Sequence, residues 1–171
     1  MKLKSNNIKS DYLEDAFGSR GTQFLKTKPS RSFHIAWEDV PKNAQSLALI
    51  FIDYDAIPVC GFTWIHWTVA NIDPAQKELP ENASLEKKLL EGVSSWASPI
   101  IPESWRLNVE DAAGYGGCAP PDQAHLYTVE MFALNKKLDL KRGFYMNALW
   151  KAMKGHILDQ AALEFWYQPK T

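Results

Sequence analysis

Strands dominate this 171-residue chain, which makes a mainly β protein the expected fold class. Residues 33–37 and 125–134 alternate in the two-residue period of an extended chain. Residues 47–52 are a continuous apolar run of strand length, and 64–70 are rich in β-branched and aromatic side chains. Glycine, proline, asparagine and aspartate punctuate the stretches between them.

In chain order, residues 1–32 are polar with scattered apolar positions, and short strands or loops are expected there. The strand at 33–37 runs into Val40-Pro41-Lys42-Asn43, a turn. The run at 47–52 has the composition of a strand buried on both faces. Residues 64–70 form the next strand, ended by Asn71-Ile72-Asp73-Pro74. Residues 84–91 have the makings of a helical turn or two, with Ser84 as N-cap. Residues 92–113, carrying Trp96, Pro99, Pro102 and Trp105, read as a long loop pinned to the body, either a lid or an interface. Gly114 to Asp122 is a glycine- and proline-rich loop, followed by the strand at 125–134. Met146, Leu149, Met153 and Ile157 fall on one stripe, so 143–163 is expected to be helical with a break near Gly155. The tail at 163–167 is apolar enough for a last strand.

This length fits one domain with a substantial core, expected over 1–171. A net charge of −1 gives no electrostatic case for nucleic acid or an anionic membrane, so an anion site must be local. No apolar run approaches the ~20 residues that span a bilayer, and the first residues lack the apolar core of a secretory signal. A cytoplasmic protein without integral membrane segments is expected. Cys60 and Cys118 are too few for a disulfide framework. Exposed aromatics in 92–113 would favour a homodimer.

The chemistry concentrates between Asp53 and Asn71. Asp53 and Asp55 lie two apart, on one face of an extended chain, and a hairpin-like return brings His66 towards them. Each residue also has a plainer role open to it. The carboxylates can cap their own turn, His66 can be a satisfied structural histidine, and Trp64 and Tyr127 can be core. His34 and His156 are expected to be structural.

Two motifs carry a resemblance. The first is Asp53-Tyr54-Asp55-Ala56-Ile57-Pro58 followed by Trp64-Ile65-His66-Trp67-Thr68-Val69-Ala70-Asn71. The second is Gly117-Cys118-Ala119-Pro120-Pro121 followed by His125-Leu126-Tyr127. With His34-Ile35-Ala36-Trp37 and a late segment at 156–161 taken as helix, the chain resembles the phosphatidylethanolamine-binding protein (PEBP) family in its bacterial and archaeal, Raf-kinase-inhibitor-like branch. The resemblance implies a large antiparallel sheet packed on a smaller one, with a few peripheral helices. It also implies a pocket for phosphate-like or carboxylate anions built from Asp53, Trp64, His66, Gly116, Gly117, His125 and Tyr127, with Asp55 in support. Tyr54 stands in place of the first motif's proline and Ile57 is an extra residue, so that turn must take another backbone.

The function expected is therefore non-enzymatic binding or regulation, with no cofactor. The partner would be a small anion (phosphate, phosphoethanolamine-like or carboxylate) or a phosphorylated protein. Imidazole and phenol donors suit an anion, Gly116 and Gly117 could add a small nest of N–H groups, and binding should strengthen below about pH 7 as imidazoles protonate. The competing reading makes Asp53, His66 and His125 a hydrolase or acid–base site, but no Gly-x-Ser-x-Gly elbow supplies a nucleophile. A metal triad lacks any close His-x-His or His-Glu-x-x-His spacing.

Overall fold

The apolar run at 47–52 sets the architecture, because its two faces feed two cores. A computed structural model describes residues 1–86 and 88–170. The strands are β1 (Lys2–Lys4), β2 (Ile8–Lys9), β3 (Tyr12–Leu13), β4 (Phe24–Leu25), β5 (Lys28–Pro29) and β6 (Ile35–Glu38). They continue with β7 (Ser46–Asp53), β8 (Trp64–Ile72), β9 (Glu78–Leu79), β10 (Leu90–Glu91), β11 (His125–Leu134) and β12 (Ile157–Tyr167). The helices are short: α1 (Ile57–Cys60), α2 (Ala83–Glu86), α3 (Val109–Ala112) and α4 (Met146–Met153). A seven-stranded sheet has the order β10-β8-β7-β11-β12-β3-β2, and a three-stranded sheet the order β1-β6-β9. Neighbours pair antiparallel except β12 and β3, which are parallel, so the large sheet is mixed.

On β7 the odd residues Leu47, Leu49 and Phe51 join the core between the two sheets, with Phe33, Ile35, Trp37, Trp67 and Phe165. The even residues Ala48, Ile50 and Ile52 pack with Phe132, Leu138, Leu149 and Met153 on the opposite face. That is why the run lacks alternation: both faces are covered. Among the described residues no helix is long and apolar enough to cross a membrane.

Three expectations need correction. Helix α4 ends at Met153 because Gly155 turns the chain with φ +79°. Residues 157–167 then form β12, and the segment at 156–161 is a turn running into that strand, not a helix. Ala161-Ala162-Leu163-Glu164 has good helix propensity, but β11 offers an open row of ladder partners from His125 to Leu134, and pairing overrides propensity. Ile157 consequently leaves the apolar stripe and is exposed. Around Ser84, helix α2 covers a single turn with Ser84 inside it, and Leu90–Glu91 pairs with β8 as β10. Lys87 lies outside the described residues.

Candidate functional site

Register alone places three expected residues in a row. Asp53, the last residue of β7, pairs with Trp64 on β8 and with Tyr127 on β11. The β7–β8 register then slips: Ile52 pairs with Ile65 but Phe51 with Trp67, leaving His66 as the bulged residue. A bulge puts adjacent side chains on one face. Trp67 therefore enters the core while His66 stays beside it, its ring 4.9 Å from Phe51 and 5.2 Å from Tyr127.

These residues line a cavity of about 630 Å³. Asp53, Trp64, His66, His125 and Tyr127 form one end, and Trp96, Ile101, Pro102 and Trp105 supply an apolar wall from the 92–113 segment. Val59 and Cys60 come from α1, Phe24 and Pro29 from the β4–β5 ribbon, and Pro120 and Pro121 from the second motif. The insertion of Ile57 is absorbed as one helical turn closed by Gly61 at φ +88°, whose N–H bonds the Ile57 carbonyl. Trp96 is buried, edge-on to Trp64 at 5.1 Å and to His66 at 5.4 Å.

His125 is held at both ring nitrogens. Nδ1–H donates to Asp53 Oδ2 at 2.8 Å and Nε2–H to Asp122 Oδ1 at 2.9 Å. Burial pulls this imidazole down, but the two carboxylates outweigh burial and hold its pKa above the ordinary value. Asp53 Oδ1 also accepts from the Ala56 N–H, and Asp55 Oδ2 from the Leu126 N–H, which ties the first motif to the start of β11.

His66 is the opposite case. Its Nδ1–H donates to the Gly116 carbonyl at 2.7 Å, and Nε2 has no partner among the described residues. Burial pushes its pKa down to about 4, against weaker upward pulls from Asp53 and the Gly116 carbonyl. The ring is neutral at neutral pH. The expectation that both imidazoles gain charge just below pH 7 is therefore corrected: His66 holds a lone pair, and His125 has both nitrogens engaged.

Among the described residues, six buried side-chain polar atoms lack a hydrogen-bond partner, and four belong to this cavity: Ser19 Oγ, Trp64 Nε1, His66 Nε2 and the Tyr127 hydroxyl. Such atoms are rare in native interiors, and here they cluster. Burial, then the neighbouring Cys118 and Asp53, pushes the Tyr127 phenol well up, so it keeps its hydrogen.

Gly116 and Gly117 do not form a donor nest. Their N–H groups donate to the carbonyls of His66 and Pro29, each at 2.9 Å. They are glycines because nothing larger fits. A Cβ on Gly116 would lie 2.4 Å from the Trp96 ring, and one on Gly117 would lie 2.3 Å from the Phe17 carbonyl oxygen. Backbone yields less than a side chain, so Gly117→Ala is expected to destabilise by roughly 1–3 kcal/mol or more in urea denaturation. A loss under about 0.5 kcal/mol, the level of an ordinary surface substitution, would contradict that packing.

His34 and His156 lie away from the cavity. His34 bonds the Asn6 N–H and faces Glu78, and His156 bonds Asn135. Cys118 is buried, and burial pushes its thiol well up, the signature of an inert cysteine. The Cys60 thiol is turned to the Ala56 and Phe62 carbonyls. Among the described residues no group of three or more histidine, cysteine, aspartate or glutamate side chains is arranged to hold a metal ion. Sequence reasoning missed Asp122 and Ser19 as site residues. The Asp-x-x-His spacing ahead of β11 was a usable sign for Asp122; nothing marks Ser19.

The model of the phosphatidylethanolamine-binding protein family matches residues 5–168. The chain is 43% identical to the uncharacterized protein YxkA of Bacillus subtilis, over 90% of this chain and 92% of that one. It is 35% identical to a UPF0098 protein of Methanothermobacter thermautotrophicus, over 86% and 91% respectively. Among solved structures, a phosphatidylethanolamine-binding protein homolog from Chlamydia trachomatis superposes with TM-score 0.79 at 26% identity, covering 99% of this chain and 97% of that one. The chain belongs to the phosphatidylethanolamine-binding protein family, a family named for binding a small ligand.

Proposed function

We propose that the cavity binds a small molecule bearing a phosphate-like or carboxylate group, and that the protein acts by binding and not by catalysis. One observation carries this reading: four residues lining a mostly aromatic and apolar cavity each carry a buried polar atom that lacks a partner among the described residues. The Trp64 indole N–H and the Tyr127 and Ser19 hydroxyls can donate to ligand oxygens, and the His125 cation lines the same cavity, its ring 6.3 Å from that of Tyr127. The site residues would be Asp53, Trp64, His66, His125 and Tyr127 at the cavity, with Asp55, Gly116 and Gly117 positioning them.

Geometry argues against turnover. His125 has no free nitrogen with which to act as a base, and His66 Nε2 is not bonded to any hydroxyl or thiol. The cavity is also larger than a bare phosphate needs, which suits a head group with an attached body.

The test is calorimetric titration of inorganic phosphate, phosphoethanolamine and phenyl phosphate into wild type and Tyr127→Phe. Saturable binding is expected, weakened about tenfold or more in the variant as one hydrogen bond to a charged oxygen is lost. Affinity indifferent to Tyr127→Phe, or hydrolysis of phenyl phosphate abolished by His66→Ala, would overturn the reading.

A further inference from the structure

The donor and acceptor sense of His66 narrows the ligand class. A carbonyl oxygen can only accept, so the 2.7 Å contact with Gly116 fixes a hydrogen on Nδ1, and in this buried, neutral ring Nε2 is then a bare lone pair. The surrounding elements offer little to change this. Asp53 on β7 is committed to His125 and the Ala56 N–H. His125 on β11 lies between two carboxylates, Tyr127 keeps its phenolic hydrogen, and buried Cys118 keeps its thiol hydrogen. Gly116, Trp96 and Phe51 complete the surroundings with a carbonyl and aromatic rings. Lys170, at the cavity's margin, is exposed.

A fully ionised phosphate or carboxylate would be well met at Trp64 and Tyr127 but would turn an oxygen lone pair towards the Nε2 lone pair. A hydrogen between them converts that repulsion into a charge-assisted hydrogen bond. Building on the anion-binding reading above, we propose that this site takes up its anion together with one proton, held between a head-group oxygen and His66 Nε2. The ligand class is then an organic acid or phosphate monoester whose apolar body rests against Trp96, Ile101 and Trp105. Before binding, the proton is in solvent. After binding, one N–H···O or O–H···N bridge holds it, and no covalent bond of the ligand changes.

Phenyl phosphate, with its second ionisation near pH 6, is the probe. Calorimetry in two buffers of different ionisation heat gives the proton count directly. Wild type is expected to take up about one proton per ligand, with affinity falling about tenfold per pH unit above the second ionisation of the phosphate. His66→Gln supplies an amide N–H that bonds the dianion without an added proton, so its affinity should be nearly flat over the same range. Thermal melting at neutral pH confirms that this variant is folded.

Binding that depends on Tyr127 but takes up no proton overturns the proposal and leaves the anion pocket standing. Proton uptake unchanged in His66→Gln places the proton on another group and also overturns it. Absence of any Tyr127-dependent binding removes the anion reading, and the proton coupling falls with it.

Discussion

Acidification from pH 6.5 to about 4 is expected to cost the folded protein on the order of 3 kcal/mol through His66 alone. The folded-state pKa is lowered from 6.5 to about 4, and each pKa unit corresponds to about 1.4 kcal/mol. The sign follows from proton counting. Between those values the unfolded chain binds a proton that the folded chain refuses, so stability is full above 6.5 and drains away as pH falls. His125 acts the other way. Its raised pKa adds stability below its unfolded value, and that contribution is lost as pH rises through the folded value. Carboxylates lowered in the folded state, among them Asp122 beside His125 and Glu81 beside Asn7 and Arg31, lose their contribution as pH falls below the ordinary carboxylate values, at the acid end of this window and beyond it. The His66 contribution is therefore isolated by difference, from urea denaturation of wild type and His66→Gln across this window. A wild-type-minus-variant difference that stays constant with pH would sink the assignment.

Asp53→Ala is expected to be more damaging at neutral pH, by about 3–5 kcal/mol, the cost of stripping one member from a buried ion pair. Asp53 is 3% exposed and His125 1%. The substitution removes the acceptor for His125 Nδ1–H and for the Ala56 N–H that starts the turn into α1. Asp53→Asn keeps an oxygen for Ala56 and the side-chain volume, so it should cost less while still releasing the histidine. NMR titration should show the His125 pKa falling in both variants, because burial then acts with only Asp122 opposing it. An unchanged His125 titration would mean that Asp53 does not hold the cation.

Much of this site was legible in the sequence because two motifs carried a family resemblance that named its residues; strand periodicity by itself offered only Asp53, Asp55 and His66. Asp53, Trp64 and Tyr127 came together through pairing register, and their types already implied polar recognition. Three features escaped for physical reasons. The bulge at His66 is a property of two strands in register, and neither strand's sequence shows it alone. The protonation of the two histidines depends on which nitrogen meets a carbonyl and which meets a carboxylate, a matter of ångströms and not of spacing. The strand at 157–167 has helix-forming residues and was decided by the ladder beside it. The aromatic content of 92–113 marked a segment pinned to the body, but only packing showed Trp96 buried against His66 and Gly116 while Trp105 stays exposed at the cavity.

The cavity joins two parts of the fold with different tolerance for change. Its polar end stands on β7, β8 and β11, the central strands of the large sheet, and β7 and β11 serve both cores. Opening those strands disturbs the whole molecule, and changes of side-chain volume on them are felt by the core. The facing wall from Ile101 to Trp105 hangs on a segment with one short strand, a 3₁₀ turn at Ser95–Ala97 and the single turn of α3, and Trp105 is 57% exposed. Mutations there can reshape what the ligand's body must look like while leaving folding nearly untouched. Head-group recognition is thus tied to the stability of the fold, and selectivity for the rest of the ligand is free to drift.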